Sequence, residues 1–113
     1  MRKITKSIVS AWARGDRLSM GNTATNGTQI FLHGNLIAWR QSADVIGLTL
    51  AGWNTVTTRE RLNGVLNFYG IGYRFAQRNF EPVIVIERDV IEVGDFEAVY
   101  FDIATQRITE VTA

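Results

Sequence analysis

Few residues of this sequence have the side-chain chemistry that catalysis needs. The chain contains one histidine, His33, and no cysteine, which excludes a thiolate nucleophile and any metal site of several histidines. A serine–histidine–aspartate relay would depend on His33 alone, beside an expected hairpin turn where a backbone hydrogen bond already accounts for it. Acidic pairs such as Glu87 with Asp89 suit turns and strand edges. We therefore predict a protein that is not an enzyme and that uses no metal or other cofactor.

Binding chemistry has more candidates. Thr57, Thr58 and Arg59 stand at an expected helix start, where backbone N–H groups, hydroxyls and a guanidinium favour an anion, although an ordinary capped helix explains them too. Trp39 and Trp53 flank an expected strand. Aromatic side chains among arginines can form a stacking surface for single-stranded nucleic acid, with packing of the rings as the alternative. The arginines concerned are Arg40, Arg59, Arg61, Arg74 and Arg78.

Charge is divided unevenly along the chain. Residues 1–78 hold ten Lys and Arg against three acids, a balance of +7, whereas residues 79–113 hold two against eight, a balance of −6. Such a division indicates either a basic binding face with an acidic counterpart or two halves that attract each other within the fold. The net charge of +1 conceals it.

The elements that must position these residues follow from hydrophobic spacing in the first half. Ile4, Ile8, Ala11 and Trp12 form the stripe of a short helix that ends near Gly15. Residues 19–28 are small, polar and uncharged, which predicts a mobile loop. Residues 29–40 predict two strands around a Gly34-Asn35 turn, and a third strand follows at residues 45–50.

A second helix is expected after residue 56, with Thr57 as its cap and Glu60 completing a capping box. Gly70 ends it, and short strands and turns follow from residue 72 to residue 111. The predicted fold is α+β, with two short helices packed on a mainly antiparallel sheet in the order α-β-β-β-α-β-β-β-β. At 113 residues, with 46% hydrophobic and 20% charged residues, a single domain over residues 1–113 is expected. No secretory signal or membrane span is expected, which favours a cytoplasmic protein.

Two segments carry a resemblance to a family. Residues 32–38, Leu-His-Gly-Asn-Leu-Ile-Ala, and residues 51–63, which begin Ala-Gly-Trp-Asn-Thr, resemble a family of small bacteriophage proteins, as does the Gly-Asn-Thr loop at 21–23. The resemblance covers about residues 1–66 and implies a phage setting. It marks the motif positions His33, Asn35, Trp53, Thr55, Thr57, Thr58, Arg59, Arg61 and Asn63. Turn and capping chemistry accounts for Asn35 and Thr57, but not for His33, Trp53, Arg61 and Asn63.

Together these observations predict a phage accessory protein that acts by binding in the host cytoplasm, with nucleic acid as the favoured partner. One alternative is a protein–protein module, either an inhibitor of a host enzyme or a homo-oligomeric part. Another is a protein that sequesters a small anionic ligand between Trp53 and Arg61. The predicted binding residues are His33, Arg40, Trp53, Thr58, Arg59, Arg61, Asn63 and Arg74.

Overall fold

The fold is α+β, as the sequence predicts. The computed structural model describes residues 2–113, and within them lie two helices and ten strands. In chain order these are α1 (Lys3–Arg14), β1 (Leu18–Met20), β2 (Thr23–Thr25), β3 (Gln29–Leu32), β4 (Asn35–Arg40), β5 (Val45–Thr49), α2 (Val56–Phe68), β6 (Arg74–Arg78), β7 (Glu81–Ile86), β8 (Asp89–Glu92), β9 (Ala98–Asp102) and β10 (Arg107–Thr112).

Helix α1 forms where the apolar stripe predicts it. Ile8, Ala11 and Trp12 are buried, and Gly15 ends the helix in the left-handed conformation at a φ of 80°. The Trp12 indole N–H donates to the Thr28 carbonyl oxygen at 2.7 Å. That bond joins the helix to the turn before β3.

The segment predicted as a mobile loop instead contains two strands. β1 and β2 pair with each other, and β2 continues the sheet by pairing with β3. Thr23 and Thr25 are buried in β2, and the Thr25 hydroxyl donates to the Gln29 carbonyl at 2.8 Å. The small, polar residues of this segment predicted a loop, but threonine is common in strands and can be buried when its hydroxyl forms a hydrogen bond within the fold.

The β3–β4 hairpin turns one residue earlier than predicted. His33 and Gly34, with φ angles of 51° and 80°, occupy the two turn positions, whereas Asn35 is the first residue of β4. A two-residue turn of this hand needs positive φ at both positions, which glycine adopts freely and histidine tolerates. The shift matters because it makes His33 the tip of the hairpin.

The large sheet contains seven strands in the order β1-β2-β3-β4-β5-β9-β10, and each neighbouring pair is antiparallel. The chain leaves this sheet after β5, forms α2 and a separate three-stranded sheet of β6, β7 and β8, and returns with β9 beside β5. The meander expected in the second half is therefore divided between two sheets.

Helix α2 lies between α1 and the small sheet. Thr55 caps it, accepting the Thr58 backbone N–H at 3.1 Å, so the predicted cap at Thr57 is wrong by two residues. The expected capping box does not form, because Glu60 accepts instead from Thr5 and Arg61. Side chains from α1, α2 and both sheets share one hydrophobic core. Neither helix within residues 2–113 has the length and hydrophobicity to cross a membrane.

Candidate functional site

The two motif segments meet at one cleft. Residues 32–37 of the β3–β4 hairpin form one wall, and residues 50–58, from the end of β5 into α2, form the other. The cleft encloses about 500 Å³, which lies within the range of small-molecule sites in proteins. The two stretches meet at the end of the β4–β5 ladder and build a single concave surface.

The floor of this cleft is apolar. Leu32, Ile37 and Leu50 line it, and each is at most 4% exposed. They belong to the core, so the floor is held by packing on its inner side. A ligand lying on it would gain hydrophobic contact with a surface that is already ordered.

The rim carries polar groups that the protein leaves free. His33, Asn35, Trp53 and Thr57 line the cleft, and the described structure shows no side-chain hydrogen bond from any of them. By contrast, the Thr55 and Thr58 hydroxyls lie 2.8 Å apart and bond to each other. A few free polar groups around an apolar floor are typical of a ligand site.

Trp53 projects from a constrained turn. Ala51 and Gly52 both have positive φ, and the Trp53 N–H donates to the Leu50 carbonyl at 2.9 Å. The φ of 86° at Gly52 favours glycine, and a β-carbon there would lie 2.5 Å from the Phe96 ring unless that ring moved. The backbone is therefore held firmly while the Trp53 side chain stays 58% exposed. A large, exposed aromatic ring on a fixed backbone suits stacking against a ligand.

Arg61 does not face the cleft, contrary to the expectation of an anion site between Trp53 and Arg61. It is only 3% exposed, and its guanidinium donates to Thr23 at 2.9 Å, Thr5 at 2.8 Å and Asn22 at 3.2 Å, besides pairing with Glu60. The buried guanidinium thereby joins both helices to β2 and to the Asn22 turn.

This network also supports the cleft. The Asn22 side chain accepts from Arg61 and from the Thr23 hydroxyl, while the Asn22 backbone carbonyl accepts the His33 N–H at 2.8 Å. The position of the hairpin tip thus depends on Arg61 through Asn22. Arg61 is a positioning residue.

The same hydrogen-bond network lowers the pKa of the Glu60 carboxyl. Burial raises the pKa of this carboxyl, but hydrogen bonds from the Thr5 hydroxyl, the Arg2 backbone N–H and the Arg61 guanidinium, together with the charge of Arg61, outweigh burial. The pKa of Glu60 is consequently held below its ordinary value of 4.5. The carboxylate therefore stays ionised beside Arg61 at neutral pH.

Two other predicted binding residues support the fold. The Arg40 guanidinium lies over the Trp12 ring, 5.0 Å from its centroid, and donates to the backbone carbonyls of Trp12 and Gly27. Asn63 donates to the Phe75 carbonyl at 2.9 Å and accepts the Phe75 N–H at 2.7 Å. Both side chains are used within the molecule, so neither is a free ligand contact.

The five arginines do not form one face. Arg40 and Arg61 point inward, and Arg59 donates to Asn54 beside the cleft-forming segment. Arg74 and Arg78 are exposed on β6, on alternate positions from Phe75 and so on the opposite face of that strand. The continuous stacking surface expected for nucleic acid is therefore absent from these residues.

Residues 1–105 match a protein family described as Kyanoviridae Gp96 protein. The chain belongs to this family. The phage setting implied by residues 1–66 is confirmed, and the match to the Kyanoviridae Gp96 family continues through the small sheet and β9, ending before β10 begins. Neither the curated proteins nor the solved structures contain a significant match.

Of the predicted binding residues in this Kyanoviridae Gp96 family member, His33, Trp53 and Thr58 line the cleft. The predicted binding residues did not include Asn35 and Thr57, for which turn and capping chemistry accounts, nor Thr55. It also omitted the apolar floor. The usable signal was the family resemblance, since its two segments coincide with the two walls.

Proposed function

We propose that this phage protein acts by binding a small molecule in the cleft between the β3–β4 hairpin and the start of α2. The observation that carries the proposal is the convergence of both motif segments on one concave surface, with an apolar floor and a polar rim. Pairing of β4 with β5 brings the two segments side by side, but it does not by itself require a concave surface with an apolar floor and a polar rim.

The chemistry of the walls favours a flat, largely apolar ligand with a few hydrogen-bonding groups. Leu32, Ile37 and Leu50 would contact one face or edge of such a ring, and Trp53 could stack on it. His33 and Asn35 would bond to its polar atoms. No side chain lining the cleft carries a permanent charge, so a strongly ionic ligand has no dedicated partner, although the first turn of α2 favours a modest negative charge.

The same walls support binding in preference to catalysis. His33 is the one titratable side chain among the lining residues, and no carboxylate or nucleophile activated by it lies beside it. General acid–base or nucleophilic mechanisms need such a second group within hydrogen-bond reach. We place this activity in the cytoplasm of the infected host.

A thermal-shift screen tests the proposal. The panel should contain nucleobases, nucleosides, nucleotides and aromatic acids, because these combine a flat ring with different polar groups. A ligand at about a hundred times its Kd stabilises the native state by about 2.7 kcal/mol, which for a chain of this size raises Tm by about 10 °C. Tryptophan fluorescence should change with the same compound, since Trp53 is the most exposed of the three tryptophans.

Matched variants decide where the compound binds. Trp53→Ala should reduce the Tm shift, whereas Phe68→Ala, which removes an exposed aromatic ring outside the cleft, should leave it unchanged. His33→Asn keeps a residue that accepts positive φ and tests the imidazole alone. A panel without any stabilising compound, or a shift that survives Trp53→Ala intact, counts against the cleft.

Nucleic acid is the competing partner, supported by the exposed Arg2, Lys3 and Lys6 at the start of the chain. Fluorescence anisotropy with labelled single- and double-stranded DNA and RNA tests it directly. Affinity that falls as salt rises would favour nucleic acid, because phosphate contacts release counterions. Absence of binding at low salt would remove that alternative.

A further inference from the structure

The two oppositely charged parts of the chain do not neutralise each other by ion pairing. The ion pairs found within residues 2–113 are Arg14 with Asp16 and Arg61 with Glu60, and all four residues belong to the basic first part. No ion pair across the described chain links a basic residue before position 79 to an acid after it. The acids after position 79 are therefore not held in ion pairs by the basic residues before it.

The acidic part carries exposed aromatic rings. Phe80 at the β6–β7 turn is 87% exposed and Phe96 between β8 and β9 is 78% exposed. Both turns reach the segment before α2, because Asn54 contacts the Phe80 carbonyl and Gly52 bonds to Asp95. Glu81, Glu92 and Glu97 line a neighbouring cleft. We name this the acidic aromatic surface, formed by Phe80, Glu81, Glu92, Asp95, Phe96 and Glu97. Arg78, exposed opposite Glu81 in the β6–β7 ladder, lies at its edge, so the surface keeps four carboxylates against one arginine.

Phe80 is an unusual occupant of its turn. Asn79 and Phe80 have φ angles of 52° and 66°, a pair that an Asn-Gly dipeptide adopts with least strain. A bulky residue in this conformation is a genuine outlier, and here the ring gains little packing in return. Backbone strain without compensating burial points to a contact outside the chain.

The basic part offers a complementary surface. Helix α1 contains no acid, and Lys3 and Lys6 are exposed without an ion-pair partner within residues 2–113. Lys6, Val9, Ser10 and the half-exposed Phe68 line a groove of about 460 Å³ between α1 and α2. We name this the basic groove, formed by Lys6, Val9, Ser10 and Phe68, with the exposed Lys3 one helical turn before Lys6 on α1.

We propose that the acidic aromatic surface docks into the basic groove of a second copy, so that the protein associates head to tail. Helix α2 packs against both α1 and β6, which leaves the two surfaces on separate parts of one molecule and free to engage two neighbours. Opposite charges would steer the encounter, and the phenyl rings would supply the apolar contact. Because the two surfaces differ, the contact is heterologous and leads to a ring or an open chain of subunits.

Sedimentation velocity at rising protein concentration tests this proposal. The sedimentation coefficient should increase with concentration at low salt and should fall towards the monomer value at high salt, because screening weakens exposed charge pairs. Two variants each remove one surface. Lys3→Glu/Lys6→Glu reverses the basic groove, and Phe80→Gly/Glu81→Lys/Glu92→Lys reverses the acidic aromatic surface while relaxing the strained turn.

Mixing these two variants gives the decisive result. Each should remain monomeric alone at low salt, and circular dichroism should establish that each is folded. The Lys3→Glu/Lys6→Glu variant keeps an intact acidic surface and the other keeps an intact groove, so the two variants should associate when mixed at low salt. A self-complementary contact between identical surfaces gives no such rescue.

Two outcomes overturn the proposal. One is a wild-type protein that stays monomeric at low salt up to millimolar concentration, because its dissociation constant for self-association would then exceed the millimolar range. The other is self-association that neither variant reduces. If a monomeric wild-type protein binds a Lys- and Phe-containing synthetic peptide through Phe80, the surface serves a different basic protein and self-association is wrong.

Discussion

The two sheets of this protein treat polar side chains in opposite ways. Around the large sheet, Arg61 and Arg40 are drawn inside and satisfied by neighbouring hydroxyls, carbonyls and an aromatic ring. On the small sheet, Arg74 and Arg78 are left in water and every residue of β8 is exposed. Residue type therefore does not distinguish a structural arginine from a free one. The groups that surround an arginine in the fold determine whether its guanidinium is bonded internally or exposed to solvent.

Replacing the internal arginine should have the largest effect. Arg61→Met leaves Thr5, Thr23, Asn22 and Glu60 without their shared donor, and breaking a buried pair in this way costs about 3–5 kcal/mol. Chemical denaturation should show this loss of unfolding free energy. Arg74→Met on the small sheet is the matched control and should change stability by less than about 0.5 kcal/mol. Equal losses in both variants would remove the distinction between the two regions.

Removing the contact between α2 and β6 should have the next largest effect on stability. Asn63→Ala leaves the N–H and carbonyl of Phe75 without partners, which costs about 1–3 kcal/mol. Hydrogen exchange should then accelerate in β6 while remaining slow in β4 and β5. Asn67→Ala, one turn further along the exposed side of α2, is the control. Unchanged exchange at Phe75 would mean that the carboxamide does not hold the small sheet.

The dependence of stability on pH should report the internal network. The folded pKa of Glu60 lies below the ordinary value of 4.5, so its contribution is fully present above that pH and is lost as the pH falls through the folded pKa. Glu60→Gln should therefore lower stability at neutral pH and reduce the loss seen on acidification. Thermal unfolding from neutral pH to below pH 4.5 measures both. A variant with the same acid dependence as the wild type would contradict this role.

The smallest expected effect is a gain in stability at the tip of the small sheet. Phe80→Gly relieves left-handed strain of about 1–2 kcal/mol and restores backbone entropy of about 0.5–1 kcal/mol to the unfolded chain, which leaves a net gain of about 0.5 kcal/mol. His33→Gly is the comparison at the tip of the β3–β4 hairpin, where φ is also positive. Denaturation midpoints should rise for Phe80→Gly. A clear loss would mean that the ring packs within the monomer.

The sequence was informative where a pattern is local. The stripe through Ile8, Ala11 and Trp12 predicted α1, and the strands around position 34 were predicted with a turn displaced by one residue. The entry of β9 beside β5 could not be predicted, because the alternating residues of β9 would suit any free strand edge. Such a pairing between distant segments depends on how the whole sheet packs.

The residues of the candidate site were likewise predicted only in part. The family resemblance marked His33, Trp53, Arg61 and Asn63 together, but spacing along a chain does not reveal where a side chain points. His33 and Trp53 line the cleft, whereas Arg61 and Asn63 bond within the fold. Arg61 and Asn63 point into the fold because Thr5 and Thr23 accept from Arg61 and the Phe75 backbone pairs with Asn63.

The paired bonds between Asn63 and Phe75 also occupy one position on the outer edge of β6. A primary carboxamide presents one donor and one acceptor with the spacing of a peptide group, so Asn63 occupies the place of a neighbouring strand on β6. An unpaired edge at that position could add a strand from another chain. Because a helix side chain already fills it, a strand cannot pair with Phe75 on β6, and the other edge of the small sheet lies at β8.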